Sequence, residues 1–272
     1  MEIIYENHLG EKLNLTQWPF MIQNPENLLG TEWSYSQSGN TFDFFRELKE
    51  KEAVISVFAD NEAEYTDVIS RMLVIFEKDV IEGIPGKIWL NGYYLQCFIK
   101  KSEYDEFEED FYTTDKKIAI LAKKWTWIKE TKISYVHEDI PDLNGRGYPY
   151  RYPFDYSRGK GYTGILNNNH FADCDFSIRI RGYTKNPYIK IGDNIYRING
   201  VIPLGDILEI DSQHKKITLT KENGMEENFF KARDRGNYIF KKIPSGQLDI
   251  YWNGSFDFDV TLLEERSEPD WT

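Results

Sequence analysis

The segment from Leu204 to Gly246 constrains this chain more than any other. Leu208 and Ile210, then Ile217 and Leu219, alternate with polar residues, the period-two pattern of half-buried strands. Asp211-Ser212-Gln213-His214 lies between them, short polar residues suited to a tight reversal. Asn223-Gly224 offers the φ > 0 pair of a two-residue hairpin turn. Tyr238-Ile239-Phe240 follows a polar run, and Ile243-Pro244-Ser245-Gly246 adds an edge-compatible proline and a turn glycine. Together these words predict an antiparallel meander within a β-sandwich.

The flanking sequence extends that pattern. Phe176, Ile178 and Ile180 alternate with Ser177, Arg179 and Arg181, and Phe256, Phe258, Val260 and Leu262 alternate with Asp257, Asp259 and Thr261. Ile189 and Ile191 precede a turn at Gly192-Asp193-Asn194, and Tyr196 and Ile198 lead to Asn199-Gly200. Upstream, Ile140 to Thr163 is rich in Pro, Gly and Tyr and has no sustained period. It reads as a linker plus an extended arm docked on the second domain, because its aromatics are costly to leave in water.

The first half mixes strands with one helix. Ile3-Ile4-Tyr5 opens a strand, Asn7 to Lys12 turns, and Leu13 to Thr16 returns. Trp18-Pro19-Phe20 and Asn24-Pro25 keep the chain extended. Ser34 to Thr41 reads as loop, and Ala53 to Phe58 as a buried strand. Tyr65, Val68, Ile69, Met72, Ile75 and Phe76 recur at spacings of three and four and predict a helix with one core-facing stripe. Thr66-Asp67 is placed to cap its start, and Gly83 with Pro85 to end it. Lys87 to Leu90 and Tyr93 to Ile99 flank Asn91-Gly92, the clearest hairpin of this half, and Lys117 to Lys123 is a further strand. The expected fold is therefore mainly β in two domains: an α+β domain over 1–130 and an antiparallel sandwich over 131–272, with the arm at 140–163.

Composition removes several functions. The chain carries 33 basic and 45 acidic residues, net −12, and no basic cluster, which argues against a free nucleic-acid binder. Glu2 and Glu6 interrupt the N-terminal apolar residues, so no signal peptide is expected. No apolar run approaches the ~20 residues of a membrane span, and the expectation is a soluble protein made in a cytoplasm. Cys97 and Cys174 stand far apart in unlike contexts and are expected as buried thiols.

No catalytic, cofactor-binding or metal-binding set assembles. Gly159-Lys160-Gly161-Tyr162-Thr163-Gly164 matches G-x-G-x-x-G, but it lacks the strand before and helix after that a dinucleotide site needs. Asn167-Asn168-Asn169 after it reads as loop. Glu103, Asp105, Glu106, Glu108, Glu109 and Asp110 offer oxygen ligands without the glycine and spacing of a calcium loop, so a solvated face is expected. His8, His137, His170 and His214 form no metal-spacing pattern, and His214 is expected at an exposed turn. Trp252 has two readings, a sugar-stacking ring or a core residue at a strand end.

The order of these words resembles the distal tail proteins of siphophages. The resemblance rests on Tyr152-Pro153-Phe154-Asp155-Tyr156, on Asn186-Pro187 with Ile189 and Ile191, and on Gly205-Asp206-Ile207-Leu208 with Ile210-Asp211-Ser212. Asn228-Phe229, Ile243-Pro244 with Gly246, and Trp252 with Gly254 complete it. In the first half, Pro19-Phe20 with Leu29-Gly30 and Trp89-Leu90-Asn91-Gly92-Tyr93 look like the family's opening and central hairpin. Asp206 stands where the family more often has Glu.

The resemblance implies a structural component of a long non-contractile tail, without catalysis or cofactor. Its N-terminal domain would form a homohexameric hub ring, and its C-terminal domain would be a galectin-like β-sandwich. Partners implied are the tail tube protein, tail-tip and tail-associated proteins, and receptor-binding proteins. DNA would pass the ring without specific binding, the location would be the virion tail, and assembly would occur in the bacterial cytoplasm. A carbohydrate-binding module for a host cell-wall glycan is the competing reading. An acidic glycosidase ranks after it, since no carboxylate pair stands in a recognisable context.

Overall fold

A computed structural model of the chain describes residues 2–108, 112–136, 162–254 and 256–270. The expected arm lies outside the described residues except at its end, as do His137 and the side chains of the acidic run from Asp105 onward. The fold is mostly β with one α-helix among the described residues. It divides into two compact units, Met1–Lys129 with Glu265–Thr272, and Glu130–Glu264. The sequence expectation left the C-terminal segment in the second domain, whereas here it groups with the first unit. Several hydrogen bonds tie it there. The Gly30 amide donates to Glu268 Oε1 at 3.1 Å, Arg46 Nη2 to Ser267 Oγ at 2.8 Å, and Tyr93 Oη to Asp270 Oδ2 at 2.9 Å.

The first unit begins with β1 (Ile3–Glu6), β2 (Lys12–Asn14) and β3 (Phe20–Ile22). Pro25–Leu28 is a short 3-10 turn rather than extended chain, with proline at a first-turn position where its missing N–H costs nothing. A hairpin, β4 (Ser34–Ser38) and β5 (Thr41–Phe45), replaces the loop expected there. Then come β6 (Lys49–Phe58), helix α1 (Glu62–Glu82), β7 (Gly86–Leu90), β8 (Tyr93–Glu108), β9 (Thr113–Ala122) and the start of β10 (Trp127–Tyr135). All pairings are antiparallel. One ladder runs β2–β1–β7–β8–β10, and a second runs β3–β6–β9–β8.

The Asn91-Gly92 reversal between β7 and β8 is the two-residue hairpin the sequence predicts, with φ of 50° and 78°. Helix α1 buries Ile69, Met72, Ile75 and Phe76 against the strands, as the stripe requires, and Gly83 ends it at φ 67°. Its start is earlier than Thr66-Asp67. The Asn61 side chain caps it by accepting from the Glu64 amide at 3.0 Å, and Glu64 Oε2 accepts from the Asp60 amide at 3.0 Å. Thr66 is already inside the helix, its hydroxyl bonded to Glu62 O.

The second unit carries Glu130–Tyr135 of β10, β11 (Tyr162–Asn168), β12 (Asp175–Arg181), β13 (Thr184–Lys185), β14 (Tyr188–Ile191) and β15 (Asn194–Arg197). It continues with β16 (Val201–Ile202), β17 (Ile207–Asp211), β18 (Lys216–Thr220), β19 (Glu226–Asn228), β20 (Gly246–Trp252) and β21 (Asp257–Arg266). β19–β18–β17–β12–β21 form one antiparallel sheet, and β11–β20–β14–β15 another. Their inward residues share one core: Phe176, Ile178, Leu208, Ile210, Ile217 and Val260 from the first, Leu166, Ile189, Ile250 and Trp252 from the second. Each such side chain contributes about 1.5–3 kcal/mol by leaving water.

Three expectations change here. The Asn223-Gly224 turn is a longer connection from Lys221 to Met225, closed by the Lys221 amide on Met225 O at 2.9 Å, with only Gly224 at positive φ. Tyr238-Ile239-Phe240 is not a strand, and Ile239 and Phe240 are buried from an irregular segment that follows β19. Gly164, Asn167 and Asn168 lie in β11, where the backbone pairs with β20 from Tyr162↔Trp252 to Asn168↔Gly246.

Candidate interaction surfaces

Residues proposed for chemistry do not converge. Cys97 and Cys174 are free and buried, and burial pushes the Cys174 thiol up to about 11, so neither is a poised nucleophile. His214 sits exposed at its turn with Nδ1 2.6 Å from Asp211 Oδ2. Trp252 is 4% exposed and packs edge-on against Phe258 at 5.2 Å, so its core reading holds and no sugar can stack on it. Glu103 is exposed and pairs with Lys101 at 2.8 Å. Among the described residues no group of three or more His, Cys, Asp and Glu is placed to hold a metal ion, and no helix is long and apolar enough to cross a membrane.

Two polar networks fix the units internally. In the first, Asp79 is fully buried near the end of α1. It accepts from the Tyr5 hydroxyl, from the His8 amide at 2.9 Å, and faces His8 Nδ1 at 2.5 Å. A Cβ on Gly86 would overlap both the Asp79 carboxylate and the Tyr5 hydroxyl, so only glycine fits beside the pair. In the second unit, Asp259 is buried and accepts from Arg181 Nη1 at 2.6 Å and Ser134 Oγ at 2.7 Å, with Lys132 Nζ at 3.0 Å. Burial alone would raise its pKa, but these donors outweigh it and hold the carboxyl at about 2.

What remains unspent in the first unit is apolar surface. In the β4–β5 hairpin the register pairs Tyr35 with Phe44 and Gln37 with Phe42, which puts three aromatic rings on one face. Their centroids are 5.9–6.4 Å apart, yet Tyr35, Phe42 and Phe44 are 62%, 50% and 64% exposed. The hairpin is a separate two-stranded sheet, and such a unit is marginal in water by itself. Its root is anchored instead. Arg46 Nη1 donates to Trp125 O at 3.1 Å and to the Thr126 hydroxyl, and its guanidinium lies 4.4 Å from the Trp33 ring.

A second apolar patch lies on α1, on the side away from its buried stripe. Val74 and Ile81, two turns apart on one face, are exposed there, Ile81 to 80%, while Val80 is exposed at the flank of the buried stripe and Ile84 beyond the Gly83 cap. Sequence periodicity detects the inward stripe because it is longer. The outer one is only legible once the helix rotation is known. One unit thus offers an aromatic hairpin face and an aliphatic helix face. An exposed apolar patch of either kind marks an interaction site more often than idle surface.

No family profile matches the sequence, and no curated protein sequence matches it. Solved structures do. The crystal structure of the Dit protein of phage SPP1, described as a paradigm of the hub adsorption apparatus in phages infecting Gram-positive hosts, aligns with a TM-score of 0.54 and 10% identity. That alignment covers 97% of this chain and 98% of that one. A chain of the phage P2 baseplate in its activated conformation with calcium gives 0.63 and 13%, covering 98% and 99%. The same baseplate with strontium gives 0.62 and 12%, again covering 98% and 99%. The chain therefore has the fold of these phage baseplate hub proteins over nearly its whole length.

Proposed function

We propose that this chain is a structural component of the distal tail tip of a long-tailed, non-contractile phage or prophage, forming a homohexameric hub ring. The observation that carries this reading is coverage: similarity to the SPP1 Dit protein and to the P2 baseplate chains spans both units, not one common module. Ring formation needs two different complementary patches, because a contact between like patches closes as a dimer whereas a head-to-tail contact goes round. The aromatic face of β4–β5 and the Val74-Ile81 face of α1, with Ile84 just beyond its end, are such a pair on the first unit, so the hairpin of one copy covers the helix of the next.

The second unit, in this reading, is a galectin-like β-sandwich that receives adsorption proteins. The tail tube and tail-tip proteins would dock on the ring itself. The net charge of −12 suits a channel that DNA passes without sticking, since cationic walls would hold phosphates. The role is mechanical, with no reaction and no cofactor, and the place of work is the virion tail after assembly in the bacterial cytoplasm. Negative-stain images of the purified protein test the reading: six-fold rings support it, and a field of single chains at micromolar concentration contradicts it.

A further inference from the structure

The second unit has a cleft that the hub role does not use. It measures about 560 Å³ and opens between the Gly192-Asp193 turn of β14–β15 and the segment that leads into β20. That volume is in the range of small-ligand sites. Its frame is held by hydrogen bonds to backbone carbonyls. The Gly192 amide donates to Asp249 O at 2.9 Å, Asn194 Nδ2 to Tyr238 O at 3.2 Å, and the Tyr196 hydroxyl to Lys241 O at 2.8 Å. Gly192 has φ 54°, and a Cβ there would press on Leu248 Cδ2 at 3.3 Å, so the turn stays narrow.

Tyr251 lines the cleft, its ring centroid 6.1 Å from that of Tyr188, over which the Arg197 guanidinium lies at 5.3 Å. Around Tyr251 stand Lys190, Lys241, Asp193, Asp249 and Gln247. Among the described residues, none of these five commits its side chain to a hydrogen bond or ion pair. Two ammonium groups and two carboxylates cancel, so an anionic ligand such as a phosphate gains nothing net. A purely apolar ligand would strand five polar groups. A ligand rich in hydroxyls, neutral, with one flat C–H face, satisfies all of them: carboxylates accept from hydroxyls, ammonium and amide groups donate to them, and a tyrosine ring takes the C–H face.

We propose that this cleft is a saccharide subsite holding two or three sugar units of a neutral glycan, with one ring laid on Tyr251. It involves neither Trp252 nor the ring-forming patches, so it stands or falls apart from the hub reading.

Saturation-transfer NMR on the full chain tests it, with chitotetraose, cellotetraose and maltotetraose as probes and glycerol phosphate as the anionic comparison. At least one tetrasaccharide is expected to receive transfer at millimolar concentration. Tyr251→Ala and Asp249→Asn should each weaken that binding about tenfold. Asp249 is exposed, so its variant should melt like the parent and keeps the test independent of folding. Transfer to none of the three sugars, transfer undiminished in both variants, or displacement by glycerol phosphate overturns the proposal. Rings without glycan binding, and glycan binding without rings, tell the two failures apart.

Discussion

His8 and Asp79, 71 residues apart, are joined at 2.5 Å between Nδ1 and Oδ1, while His8 Nε2 meets Glu82 Oε2 at 3.0 Å. The turn after β1 is thereby tied to the last turn of α1. A cation there also complements the negative end of the helix dipole.

The hydrogen bond to Asp79 is the main cause that raises the His8 pKa above 6.5, with the Glu82 charge assisting against burial. A histidine raised on folding contributes stability that is fully present below its unfolded value and is lost as pH rises through its folded value. Imidazole titration by NMR should give His8 a midpoint above 6.5. Denaturant midpoints should fall as pH climbs through that value, and His8→Gln should flatten this dependence. A His8 midpoint at or below 6.5 contradicts the pairing.

Asp259 has the opposite sign. Its carboxyl is held at about 2 in the folded chain, so its contribution is present above the unfolded value near 4 and disappears as pH falls through about 2. Asp259→Ala should cost about 1–3 kcal/mol at neutral pH. The lower end is favoured by the partial exposure of Arg181 and Lys132, which water can resolvate. Chemical unfolding of the variant at pH 7 and pH 2.5 measures this; equal losses at both would rule out the charge network.

Gly92 is at φ 78° with open space where a Cβ would point, so Gly92→Val tests backbone strain without a clash. It should destabilise the first unit by about 1–2 kcal/mol. Unchanged thermal unfolding would mean that the turn tolerates an L-residue there.

Much of this fold was legible from residues alone, because many strands carry a burial pattern the chain spells out. Phe176-Ile178-Ile180 and Leu208-Ile210 alternate in the sequence and alternate in burial. The Asn91-Gly92 and Gly83 signals worked because each needs a backbone conformation few residues adopt. The β4–β5 hairpin was missed for the converse reason: Tyr35, Phe42 and Phe44 face outward, so no burial period marks them. The cap at Asn61 hid behind the more conspicuous Thr66-Asp67. The cleft at Tyr251 and the bond between His8 and Asp79 join residues far apart in sequence, which local patterns do not reveal. Trp252 reads from sequence as a core residue first and a sugar-stacking ring second, and its burial decides for the core.

Solution mass by multi-angle light scattering tests the ring most directly, applied to the full chain and to two double variants. The parent should elute at six times the mass of one chain. Phe42→Ser with Phe44→Ser, and separately Ile81→Ser with Ile84→Ser, should each give folded monomers, since all four side chains are exposed within their own chain. A monomeric parent, or variants that remain hexameric, would contradict the head-to-tail contact between the aromatic hairpin and the helix.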